Sequence, residues 1–328
     1  METNTNTGAK IMLAVAVLVV AGGAAVFYLL QTNRNAVNPK LILADSYLKE
    51  GVATGTRDGA ALKSRELLLE VERTGQKSAY LYELLGYSSE IINDFSRARE
   101  YYDKAEDGIT IMTPRMVKAK VYAAQGRMNS DPGKSKEYFL KALKFANDDS
   151  FKSELYADLS RTEYLLNDLP KAVEYAESAV KKDSSNAFGY LAYAKAVISD
   201  KTLLQENAKK VEEYLVKAIF LAPRMAEAQY WMGKFDTVLE KYDLAVKSYD
   251  TAAKLLMEDS VMSIQAKTLM MSDVFFDESV VYFIKKDPKY REFFIEAFNL
   301  NPANVLYRAR DNTALKEMMA DFVSKTKR

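Results

Sequence analysis

The 328-residue chain contains neither cysteine nor histidine. Without cysteine there are no disulfides, thiolate nucleophiles, zinc fingers or thiol-anchored lipids. Without histidine, Ser-His-Asp and Cys-His catalysis fall away, together with the commonest transition-metal ligand. An excess of one charge is missing too: 46 basic residues face 45 acidic ones, a net charge of +1. Such a balance gives no general attraction for nucleic acid, where a strongly basic domain is needed. No Gly-rich phosphate-binding loop is present either; Gly22-Gly23 falls inside an apolar run and the other glycines are isolated. Asp148-Asp149 reads as the end of a helix, not as a metal site. The expectation is a non-enzyme with no metal and no cofactor.

Apolar content (48%) and charged content (28%) are those of folded globular protein. The apolar residues are unevenly spread. Ile11 to Leu30 holds twenty residues with neither charge nor proline, and a helix of that length spans about 30 Å, the thickness of a hydrocarbon core. The segment reads as a single-pass transmembrane helix after a polar tail over residues 1–10. A cleaved signal peptide competes, because Ala21-Gly-Gly-Ala-Ala25 offers small residues, yet the run continues to Leu30 beyond the usual signal core. For orientation, Lys10 precedes the segment and Arg34, Lys40 and Lys49 follow it, which leans nominally toward a cytoplasmic C-terminal part. The short tail ending in lysine and the lack of cysteine favour the opposite, a periplasmic or otherwise extracytoplasmic domain. Ala21 and Ala25 form a small-xxx-small pair of the kind that supports helix–helix contact and self-association.

Beyond residue 38 the prolines are few and apolar residues recur at three-and-four spacing, the signature of helices throughout. A set of alanines repeats along the chain at 105, 142, 179, 218, 252 and 297. Three residues before each stands Tyr102, Phe139, Ala176, Leu215, Tyr249 or Phe294, mostly bulky. Small residues Gly86, Ala119, Ser160, Ala194 and Gly233 mark the partner helices in the same rhythm. Asn93-Asp94, Asn167-Asp168 and Glu240-Lys241 are placed for the intervening turns, and Pro170 and Pro288 for helix starts. Asn129 to Pro132 and Asp200 to Asn207 read as turn insertions. Ala226 to Asp259, with Met232-Gly233, Ala245, Tyr249 and Ala252, carries the pattern without a gap, as do 79–112 and 153–186. This pattern resembles the tetratricopeptide (TPR) repeat, in which small residues let two antiparallel helices touch while an aromatic fills the wedge.

The resemblance implies an all-α, TPR-like α-solenoid of antiparallel helix pairs, preceded here by the transmembrane helix. Residues 31–78 read as a linker and a degenerate first pair, Leu41 to Gly51 and Asp58 to Thr74, with a loose stretch from Gly51 to Gly59. The array occupies 79–302, with a break near Ser272-Asp273 in its last long helix. Residues 303–328 form a C-terminal cap, with a helix over Asn312 to Lys325.

In the family the first helices line a groove, and the residue after each small position projects into it. Those residues are Tyr87, Lys120, Arg161, Lys195 and Lys234, with Tyr80, Tyr164, Phe188 and Tyr230 beside them. Four consecutive cations suit an acidic peptide or a C-terminal carboxylate. The alternative is ordinary solvated cations paired with Glu83, Glu154 and Glu227 on adjacent turns. Trp231 reads as core. The resemblance thus implies a membrane-anchored scaffold that binds and organises partner proteins in a cell-envelope assembly, such as secretion, pilus, flagellar accessory or envelope chaperone machinery. The alternative is a cytoplasm-facing receptor or co-chaperone for acidic client tails.

Overall fold

The computed structural model describes residues 38–310 and 316–320. The segment Ile11 to Leu30 lies outside the described residues, and so does most of the helix expected over Asn312 to Lys325, of which residues 316–320 are helical. Among the described residues no helix is long and apolar enough to cross a membrane.

Besides residues 316–320, fifteen helices are formed among the described residues, with no strand, and they fall into two compact units divided between Thr113 and Pro114. The first unit holds α1 (Pro39–Thr54), α2 (Arg57–Arg73), α3 (Ala79–Ile91) and α4 (Phe95–Asp107). The second holds α5 (Arg115–Met128), α6 (Pro132–Phe145), α7 (Asp149–Leu165), α8 (Leu169–Lys182), α9 (Ala187–Ile198) and α10 (Lys201–Leu221). It continues with α11 (Ala226–Val238), α12 (Tyr242–Glu258), α13 (Ile264–Ile284), α14 (Tyr290–Leu300) and α15 (Pro302–Ala309). Consecutive helices pair from α1/α2 to α13/α14, and each pair packs on the next within its unit.

The sequence sets where these helices start. Side chains of Asp94, Asp148, Asp168 and Asp200 each accept the backbone N–H three residues on, at 2.8–3.3 Å, satisfying donors that a helix start leaves open. Asp148-Asp149 is therefore the capped start of α7. Pro39, Pro132, Pro170 and Pro302 stand in first turns, where the missing N–H costs nothing. Pro288 instead falls in the turn before α14.

Four turns share one stop. Asn93, Asn167, Glu240 and Lys286 adopt left-handed φ of 58–61°. In each, the following residue donates its N–H to a carbonyl five residues back, as in Asp94 to Ser89 and Lys241 to Asp236 (2.9 and 2.8 Å). This is the Schellman arrangement, which closes the last carbonyls of the first helix and reverses the chain.

All six repeating alanines are fully buried, and so are their bulky neighbours Tyr102, Phe139, Leu215, Tyr249 and Phe294. Where Ala176 replaces the aromatic, Ser160 donates to the Ala172 carbonyl at 2.7 Å instead. In the degenerate pair, Ser64, Leu68 and Val71 occupy the buried positions expected of them.

Several sequence expectations are corrected. Gly51 lies inside α1, buried, where a Cβ would meet that of Ala60 at 2.4 Å; the turn is confined to Gly55-Thr56. Residues from Lys201 to Asn207 lengthen the start of α10 after the Asp200 cap and do not form a turn. Asn129 to Asp131 is a tight connection, and the extra residues lie between α4 and α5. Helix α13 runs unbroken through Ser272-Asp273. Ser272 donates to the Ala297 carbonyl of α14 (2.9 Å) and Asp273 accepts from Asn304 (2.7 Å), so both polar groups are satisfied by neighbours without opening the helix.

The register of α5 also differs. Gly126, not Ala119, holds the small position, since a Cβ there would stand 2.6 Å from the Phe139 ring, as at Gly86 against Tyr102 and Gly233 against Tyr249. Ala119 is buried as well, two turns earlier on the same helix. Sequence spacing alone does not distinguish two small residues seven apart.

Candidate partner-binding face

In the second unit the first helices adjoin one another: α7 packs on α9, α9 on α11 and α11 on α13. Gly126, Ser160, Ala194 and Gly233 are turned toward the second helices, and the next residue turns out of that interface. The outward residues are Arg127, Arg161, Lys195 and Lys234. Lys120 stands seven residues before Arg127, on the same face two turns away. The cation at this level of α5 is therefore Arg127, which the spacing of small residues concealed.

Three of these cations, Arg127, Lys195 and Lys234, have a counterpart in the next first helix. Arg127 Nε donates to Asp158 Oδ2 at 2.8 Å and its guanidinium is 3.6 Å from Glu154. Lys195 Nζ lies 2.5 Å from Glu227 Oε1, and Lys234 Nζ 3.8 Å from Asp277. Glu154 and Asp158 stand seven and three residues before Arg161, and Glu227 seven before Lys234, so the same cation-to-following-acid pairing recurs at those rungs. The pairing alternative set out for Glu154 and Glu227 is thus realised. Glu83, in the first unit, is buried on α3.

Aromatic rings lie beneath the charges. Lys195 Nζ is 5.7 Å from the Tyr164 ring centroid and 5.6 Å from that of Trp231; Lys234 Nζ is 4.9 Å from Trp231. Tyr164 meets Trp231 edge-on at 6.4 Å. Trp231 is buried, as expected. Tyr230 is buried too, and donates to Asp277 at 2.7 Å. It is therefore a core residue that orients a carboxylate, not a ring open to a peptide. Phe188 is 60% exposed and Tyr164 half-buried.

At the far end, α15 closes the layer. Arg308 donates to Asp277 and, at 3.1 Å, to Asp273, with its guanidinium 4.3 Å from the Phe276 ring centroid. Burial pushes the Asp277 carboxyl up, but Lys234, Arg308 and the Tyr230 hydroxyl outweigh it and hold it below the usual carboxylate range. Burial and the adjacent Asp277 charge push the Tyr230 phenol well above its ordinary value. Asp277 and Arg308 escaped sequence reasoning because neither falls at the repeating position.

Tyr80 and Tyr87 belong to the first unit. Both are half-buried on α3, and burial together with Asp45 pushes the Tyr80 phenol up. Among the described residues no group of three or more acidic side chains is arranged to hold a metal ion.

No protein-family model matches this chain, and no curated protein matches it in sequence. Solved structures do match. A chain of the APC/C hetero-tetramer Cut9–Hcn1 is similar with a TM-score of 0.61 at 14% identity, over 86% of this chain and 52% of that one. PilF of Pseudomonas aeruginosa is similar with a TM-score of 0.49 at 16% identity, over 68% of this chain and 96% of that one. A TPR protein of Thermus thermophilus gives 0.45 at 19% identity, over 61% and 97%. Paired helices, glycine-against-aromatic contacts and the first of these likenesses together give the fold: an all-α, TPR-like solenoid of helix pairs.

Proposed function

We propose that this chain is a non-catalytic, membrane-anchored scaffold that binds partner proteins through the first-helix layer of its second unit. The observation that carries this reading is the row Arg127, Arg161, Lys195 and Lys234, repeated at one level of four successive first helices. A repeated row on stacked helices fits an extended polypeptide better than a compact substrate. Ile11 to Leu30 supplies the anchor in this reading, and anchoring raises the effective concentration of partners held at one surface. The setting that fits is an extracytoplasmic envelope assembly.

The test is crosslinking followed by pull-down from membranes, comparing the full chain with an Arg127→Glu/Arg161→Glu variant. Proteins retained by the wild type and lost from the variant are the expected result. A wild type that recovers nothing above background sinks the scaffold reading. A cysteine introduced at Asn35 and probed with an impermeant reagent tests the orientation; protection in intact cells excludes the extracytoplasmic placement.

A further inference from the structure

Three of the four outward cations in the second unit meet an acid of the next first helix, and the fourth does not. The position seven residues before the next outward residue holds Glu154 opposite Arg127 and Glu227 opposite Lys195, but Phe188 opposite Arg161. The position three before it holds Asp158 opposite Arg127, and Ala192 opposite Arg161. Both acidic choices are thus absent at one rung only. Arg161 is exposed and has no carboxylate partner among the described residues.

Phe188 is not a core residue. It is 60% exposed, and among the described residues it stacks on no other ring. The start of α9 needs only Asn186, whose side chain accepts the Phe188 N–H at 3.0 Å and donates to Ser153 at 2.8 Å. An acid at 188 would complete the ladder without disturbing the core.

We infer that the rung formed by Arg161 and Phe188 is a docking subsite for a polypeptide segment of another protein that carries a carboxylate beside a bulky apolar side chain. The carboxylate replaces the missing acid and forms a charge-assisted, bidentate pair with Arg161. The apolar side chain covers Phe188 and removes both from water. Lys195 does not compete for the carboxylate, because Glu227 holds it at 2.5 Å over the Tyr164 and Trp231 rings. Charge complementarity is therefore focused on one rung of an otherwise neutralised row. The inference rests on the scaffold reading and names the chemistry of its partner.

The experiment uses the purified full chain in detergent and an array of twelve-residue peptides in a Gly/Ser/Ala background. Each peptide carries one Asp or Glu beside one Leu or Phe; controls replace the acid with Lys or the apolar residue with Ser. The best peptide is then titrated by fluorescence anisotropy. The expected result is a preference for peptides with both features. Arg161→Ala and Phe188→Ala each weaken binding about tenfold, a loss typical of central interface residues. Phe188→Glu, which closes the rung, abolishes binding and leaves the melting temperature unchanged. Equal binding by wild type and Phe188→Glu, or no preference on the array, overturns the proposal. Self-association of the wild type that is lost in Phe188→Glu assigns the subsite to a second copy of this chain and overturns it too. Membrane partners recovered equally by both proteins remove the subsite and leave the scaffold intact; no partner for the wild type removes the scaffold.

Discussion

Gly233 of α11 lies against the ring of Tyr249 of α12 so closely that a Cβ would stand 2.6 Å from the ring's Cε1. Tyr249 is almost fully buried and its hydroxyl is 3.1 Å from Thr237 Oγ1. The ring is held at both ends, and it sets how closely the two helices approach. Gly86 with Tyr102 and Gly126 with Phe139 repeat this contact to within a tenth of an ångström.

Gly233→Ala is therefore expected to destabilise the fold by about 1–3 kcal/mol through overpacking. The opposite outcome is expected at Gly59, which has no neighbour within 4 Å of a built Cβ and sits in α2 with ordinary backbone angles. There alanine stabilises by about 0.5–1 kcal/mol. Urea unfolding of the two variants checks the contrast.

Glu240 adopts a left-handed φ of 59° at the end of α11. A non-glycine residue there costs about 1–2 kcal/mol, so Glu240→Gly is expected to raise the melting temperature. Asn93→Gly, at an equivalent turn, should change it less, because asparagine tolerates this conformation. Differential scanning calorimetry ranks the two, and an equal or reversed order contradicts the account.

Glu163 is 1% exposed and pairs with Lys136 of α6 at 2.6 Å, itself 28% exposed. Removing only the cation leaves a buried charge without its counter-ion. Lys136→Met is expected to destabilise by about 3 kcal/mol, and adding Glu163→Gln should restore most of that. If the double variant is no more stable than the single one, the pair is not the cause.

Glu278 of α13 is fully buried with neither carboxylate oxygen hydrogen-bonded. Burial, with Asp250 adding to it against the opposing pull of Lys289, pushes its pKa from 4.5 to about 8. The folded state therefore keeps a proton that the unfolded chain releases above pH 4.5. Stability is fully present below pH 4.5 and declines as pH rises toward 8, by an amount on the order of a few kcal/mol. Glu278→Gln should flatten that slope and stabilise most at pH 8 and above. Unfolding free energies across pH 4–9 measure it; an unchanged slope contradicts the assignment.

Much of the architecture was legible because the contacts that build it are local and periodic. Six alanines, five of them with a bulky neighbour three residues earlier, locate the second helices, and Asn93, Asn167 and Glu240 stand where the chain reverses. The errors share one physical origin. Ala119 and Gly126 lie seven residues apart on one face, and only the Phe139 ring, brought in from α6, picks the glycine. Ser272-Asp273 reads as a break until α14 and α15 supply the carbonyl, amide and guanidinium that satisfy it. Asp200 to Asn207 looks like a turn because its polar residues equally suit the exposed start of a long helix.

By itself the sequence determined the helix pairs, their turns and their buried alanines, since each follows from spacing along one or two adjacent helices. It also placed cations on successive first helices. Only the tertiary structure decided which of them are neutralised, because the partners Glu154, Asp158, Glu227 and Asp277 come from the next helix pair. Whether a side chain is free depends on what stacking brings against it. That dependence separates Arg161, at whose register position the next helix carries Phe188, from its three paired counterparts.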